Sequence, residues 1–127
     1  MEEKFSIINE TKGRLPSLPF DKIKNKILGE KYELDLVFVN EKKIHALNKT
    51  YRHVDSPTDI LSFPLEKNSG EILICEKVAK NKAKLFERQY NNFIAFLFIH
   101  GCVHLLGNKH GKKMESLEVK FRAYFKV

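Results

Sequence analysis

A chain of 127 residues with 43% hydrophobic composition can bury one sizeable core without disulfide or metal staples, so a single domain over residues 1–127 is expected. Lys and Arg outnumber Asp and Glu by 23 to 16, a formal charge of +7 with a pI near 9.4, which favours polyanionic partners, nucleic acid first. The two cysteines, Cys75 and Cys102, make no disulfide framework; no apolar run approaches the roughly 20 residues that span a membrane, and the Met-Glu-Glu-Lys start lacks the order of a signal peptide, so a cytoplasmic protein with no membrane partner is expected.

Phe5-Ser-Ile-Ile8 predicts a short strand, followed by a turn region around Lys12-Gly-Arg and Pro16. Phe20, Ile23 and Ile27 recur at helical spacing between Pro19 and Leu28, with Asp21 in the first turn and Gly29 as the stop. Tyr32-Glu-Leu-Asp-Leu-Val-Phe-Val39 alternates and then turns wholly apolar, the pattern of a strand with a buried end, and Asn40 caps the next helix. That helix runs from about Glu41 to Tyr51 with Ile44, Leu47 and Tyr51 inward; His45 falls off the inner face and reads as solvated.

Tyr51-Arg-His-Val-Asp-Ser-Pro57 is polar and turn-rich, which predicts Arg52 and Asp55 in a loop. Thr58-Asp-Ile-Leu-Ser-Phe63 then reads as a strand that Pro64 confines to an edge or an end. Asn68-Ser-Gly70 predicts a turn and Glu71-Ile-Leu-Ile-Cys75 the return strand of a hairpin. Lys77 to Gln89 is a charged helix with Val78, Ala79, Ala83, Leu85 and Phe86 on one side; its Lys77, Lys80, Lys82, Lys84 and Arg88 make either a basic face for RNA or a solvated one. The helix after Asn91-Asn92 is too apolar for a surface position and is expected at the centre of the domain. Met114, Leu117, Phe121 and Phe125 mark a closing helix. The order predicts an α+β domain, α/β-like, with one mixed sheet of about four strands covered by helices.

The central helix also carries chemistry. His100 and His104 are four residues apart, so at about 100° per residue they share one face, one turn apart. Gly107 can end the helix and let the chain bring His110 round as a third nitrogen ligand. Neutral imidazoles suit zinc, and three protein ligands leave the fourth position open, as a catalytic site requires. Cys102, roughly 200° round from His100, reads as a small buried apolar residue. Zinc proteases of the H-E-x-x-H type place a glutamate beside the first histidine, where this chain has Gly101, so the peptidase reading lacks its base. Three neutral ligands also keep the full charge of the ion, which favours an anionic substrate such as a phosphodiester.

His100-Gly101, His104-Leu105, Gly107 and His110 resemble the H-G-x-x-H-L-x-G-Y-D-H signature of the YbeY family, bacterial rRNA maturation factors and single-strand-specific endoribonucleases. Asn48-Lys-Thr-Tyr51-Arg52-His-Val-Asp55-Ser-Pro57-Thr58-Asp59-Ile-Leu61-Ser62-Phe63-Pro64 is similar to that family's N-x-x-Y-R-x-x-D-x-P-T-D-V-L-S-F-P, and Gly70-Glu71-Ile72 to its G-D-I element. The resemblance implies one zinc ion on His100, His104 and His110, and Arg52 as a catalytic residue facing the metal cleft. It implies single-stranded RNA as substrate, rRNA above all, a role in 16S rRNA maturation and ribosome quality control, and ribosome-associated protein partners.

Two positions depart from the family pattern. Asn108-Lys109 stand where the signature has Tyr-Asp, and Glu71 replaces an aspartate; the first puts a positive charge beside the ligands and bears on how they are supported. A planar guanidinium suits phosphate, which gives Arg52 a role in positioning the backbone. Asp59, Ser62 and Glu115 read as structural, and no carboxylate is placed as a base. Two other readings fit the same residues: a ribosome-associated binding factor with a mainly structural zinc, and a metal-dependent hydrolase of another phosphoester.

Overall fold

In the computed structural model, which describes residues 4–107 and 111–127, the apolar run that ends at Val39 becomes the inner strand β2 (Glu33–Phe38). It has β1 (Phe5–Asn9) on one side and β4 (Ser69–Ile74) on the other, both parallel, and β3 (Ile60–Glu66) returns antiparallel to β4 at the edge, giving the order β1-β2-β4-β3. Five helices, α1 (Phe20–Leu28), α2 (Glu41–Arg52), α3 (Glu76–Leu85), α4 (Tyr90–Leu105) and α5 (Lys112–Phe125), complete the described residues. The predicted α+β class and the mixed four-stranded sheet are thus observed.

Strand alternation divides the apolar side chains between two faces. Leu34, Leu36, Phe38, Ile72 and Ile74 meet α1 and α4 in the larger core, where the Phe20 ring stands edge-on to Phe98 with centroids 5.1 Å apart. Val37, Leu61 and Leu73 face the other way, onto Ile44 and Leu47 of α2 and Val78 of α3. Being apolar nearly all round, α4 buries ten of its residues, as the sequence predicts for a central helix. No helix among the described residues is long and apolar enough to cross a membrane.

Three local expectations are corrected. The hairpin turn is Lys67-Asn68, and Ser69 and Gly70 already belong to β4. Gly70 is there for contact, since a Cβ would lie 2.5 Å from the Tyr32 hydroxyl and 3.1 Å from Leu105. Helix α3 stops at Leu85, earlier than predicted. Glu87 takes the left-handed conformation (φ 53°), with Arg88 N–H donating to the Ala83 carbonyl and Glu87 N–H to that of Lys84, a Schellman close. Leu85 and Phe86, expected on the inner side, are exposed: Leu85 points about 200° round the helix from buried Ala83, and the Phe86 ring, past the helix end, stacks on Phe93 at the surface. Third, Arg52 is the last residue of α2 instead of a loop residue; the left-handed His53 (φ 59°) ends the helix after it.

Pro64 sits within β3, beside a shift of register between Pro64 and Glu66. An edge strand tolerates the missing donor. With β4 on one side, β3 leaves its other side to a cleft.

Candidate active site

The cleft, about 610 Å³, lies between the C-terminal end of α2, the edge strand β3 and one turn of α4. Helix α4 contributes His100 and His104, α2 contributes Tyr51 and Arg52, α3 contributes Lys82, and residues 58–63 form the wall. The i, i+4 spacing thus does what the sequence predicts: both imidazoles line one cavity, together with Arg52. His110, the third predicted ligand, lies outside the described residues, as do Asn108 and Lys109. Among the described residues no group of three or more His, Cys, Asp and Glu side chains is arranged to hold a metal.

Tight packing puts α4 where its histidines reach the cleft. Gly101 is buried against the sheet, and a Cβ there would meet Ile72 Cδ1 and Ser62 Oγ at 3.0 Å and Ile60 Cδ1 at 3.1 Å. The position after the first histidine is therefore a helix-to-sheet contact with no room for a glutamate. Leu106 and then Gly107 at φ 85° end the helix, as predicted. Cys102 is fully buried, and burial pushes its thiol well above the ordinary cysteine value, so it is held in the protonated form that does not ligate metal.

Glu118, from the inner side of α5, bonds to His100 Nδ1. A carboxylate on one ring nitrogen fixes the tautomer and leaves Nε2 with the lone pair, the usual support for a metal-binding imidazole. Of the predicted ligands the described residues thus bring together two imidazoles, His100 and His104, the first oriented by Glu118. Glu118 was not singled out in the sequence, yet four residues after Met114 and three before Phe121 it stands on the apolar stripe of α5, and a carboxylate in that stripe is the signal that could have found it.

Arg52 is exposed and, among the described residues, makes no ion pair. Its helix end is held by its neighbours: buried Asn48 donates Nδ2–H to the Ser56 carbonyl at 2.9 Å, and His45 bonds to Asp55 at 2.8 Å, which lowers the Asp55 carboxyl below its ordinary value. His45, expected to be solvated, is partly buried and bonded to Asp55, and it does not line the cleft. Asp59 and Ser62, read as structural, prove to line the cleft; Asp59 is nearly buried and faces Lys82 Nζ at 3.3 Å. Lys82 was one lysine among several in a charged helix, and only the tertiary packing of α3 singles it out. Glu71 is not part of the cleft; it pairs with Asp35 across the strands, and burial first, then that carboxylate, raises it.

The model of the family described as Endoribonuclease YbeY matches residues 8–123. Relatives of that name include one from Aliarcobacter butzleri, 35% identical over 90% of this chain and 89% of its own, and one from Oenococcus oeni, 33% identical over 79% and 72%. The solution structure of a Thermotoga maritima protein superposes with a TM-score of 0.66 at 27% identity, covering 92% of this chain and 85% of that one. With the two imidazoles of α4 and Arg52 on one cleft, and the match running through nearly all of the chain, the protein belongs to the endoribonuclease YbeY family.

Proposed function

We propose that this cleft cleaves single-stranded RNA with one zinc ion held by His100, His104 and His110, and that its substrate in the cell is rRNA, in the maturation of 16S rRNA and ribosome quality control. The family makes the chain an endoribonuclease, a hydrolase of RNA phosphodiester bonds. The observation that carries the site assignment is the meeting of His100, His104 and Arg52 in one cleft, in a chain of net charge +7.

The chain's residues divide the work. Glu118 keeps the His100 ring in one orientation, and His104, one turn on along the same face, would be the second imidazole to hold the ion. Arg52 offers a planar fork of donors to two phosphate oxygens at once and can hold the scissile phosphate against developing negative charge. Asp59 keeps Lys82 at the wall, which adds a second cation for the backbone. When bound, zinc supplies a Lewis acid for the phosphoryl group and acidifies water. The Asp59 carboxylate is engaged by Lys82 and that of Glu118 by His100, which gives these two roles in positioning and charge.

Elemental analysis of the purified protein and of His104→Ala, with cleavage of a single-stranded RNA assayed on both, tests the reading. One zinc per chain, lost in the variant together with cleavage, is expected. Cleavage unchanged in metal-free protein would overturn it: the activity would then be metal-independent or a contaminant, and the chain would be read as a ribosome-associated binding factor.

A further inference from the structure

The mouth of the cleft carries an aromatic side chain that the metal and phosphate chemistry does not use. Tyr51, one residue before Arg52 and expected on the inner face of α2, is instead 63% exposed beside the cavity. It meets Phe63 of β3 at 5.3 Å between centroids with the planes 64° apart, an edge-to-face pair. In such a pair either the tyrosine edge meets the phenylalanine face, or the phenylalanine edge meets one tyrosine face. Both arrangements leave at least one face of Tyr51 uncovered, and the contact with Phe63 holds the ring in place. Arg52 and Lys82 stand on the same cleft.

We propose that Tyr51, steadied by Phe63, is a stacking platform for one unpaired base of the RNA strand whose phosphate Arg52 binds; this rests on the RNA reading of the cleft. An exposed ring next to cations matches nucleic acid, in which each π-face lies a few ångströms from a phosphate, better than it matches an acidic peptide, which supplies the charge without the ring. Stacking needs a base that is out of a duplex. The ring therefore gives the cleft a means of choosing single strands without reading sequence, because every base has a π-face.

The test uses nuclease-resistant 2′-O-methyl oligonucleotides of about ten residues, with 2-aminopurine moved through each position, titrated into the zinc-loaded protein. Wild type should quench the fluorophore strongly at one position or two adjacent ones. Tyr51→Phe should retain both the quench and the affinity, whereas Tyr51→Leu, which keeps an apolar side chain but no ring, should lose the quench there and bind roughly 5- to 100-fold more weakly. A duplex of the same sequence should bind wild type and Tyr51→Leu equally. Binding by wild type with no position-dependent quench, or unchanged by Tyr51→Leu, overturns the platform and leaves the RNA reading standing. Failure of wild type to bind any of the strands overturns both. Melting curves of the variants check that the leucine protein is folded; if it is not, the wild-type quench profile and the Tyr51→Phe comparison still decide.

Discussion

A histidine has two ring nitrogens, and a metal can use only one that keeps its lone pair. At His100 that choice is made by Glu118, whose carboxylate engages Nδ1 from a position that is largely buried, with 17% of the side chain exposed. Burial keeps water from competing for the carboxylate, so the ring orientation is set by the fold itself, as the proposed zinc site would require. Removing the support leaves the ligand in place but frees its rotation and lowers its basicity. Glu118→Ala is therefore expected to weaken zinc affinity about 10- to 100-fold, and Glu118→Gln, which can still accept from Nδ1–H without the charge, to fall between that and wild type. Competition against a chromophoric chelator measures this without reference to catalysis. Equal affinities for the three proteins would remove Glu118 from the site.

At the scale of elements, α4 is placed by what it lacks. The absence of a side chain at Gly101 lets the helix lie against Ile60, Ser62 and Ile72, and the same turn presents His100 and His104 to the cleft. Gly101→Ala should lose only a little stability, since overpacking of about 1–3 kcal/mol is offset by about 1 kcal/mol of helix propensity. Gly101→Glu, which writes the zinc-peptidase pattern into the sequence, should instead bury an unpaired carboxylate between helix and sheet and cost about 4 kcal/mol or more. A thermal melt should show its midpoint lowered by more than about 10 °C, with no peptidase activity gained. A Gly101→Glu protein as stable as wild type would mean that the helix can move off the sheet. The elements themselves were legible because their signals are local: the apolar run of β2, the spacing in α1 and α5, the Pro64 of an edge strand and the Gly107 stop. What was not legible depends on contacts distant in sequence. Gly70 reads as a turn until Tyr32 and Leu105 are seen against it; Phe86 reads as core until α3 is seen to end before it and the chain to turn at Glu87. Of the cleft, His100, His104 and Arg52 could be read from the motif, whereas Lys82 and the Tyr51–Phe63 pair join it, and Glu118 comes to stand behind His100, only through the packing of α3, β3 and α5.

For the molecule as a whole, a charge of +7 states an attraction to polyanions without saying where they land. Some of the positive charge is locally matched: Lys4 faces Glu33, Lys43 faces Glu10, Lys77 faces Glu41 and Lys82 faces Asp59. Arg52 has no such ion pair among the described residues, so a phosphate that reaches it displaces only water and small ions. Its contribution should therefore appear as counterion release. The logarithm of affinity for single-stranded RNA falls with the logarithm of salt by about 0.7 for each phosphate neutralised. Arg52→Ala should weaken binding at low salt and flatten that slope by about 0.7, whereas Tyr51→Leu should weaken binding with the slope unchanged, because a stacked base releases no counterions. Titrations of the three proteins between about 50 and 200 mM salt, the range over which multi-phosphate contacts lose much of their affinity, separate the two effects. An Arg52→Ala slope equal to wild type would show that the guanidinium touches no phosphate, and the second cation on the wall, Lys82, would then be the residue to replace.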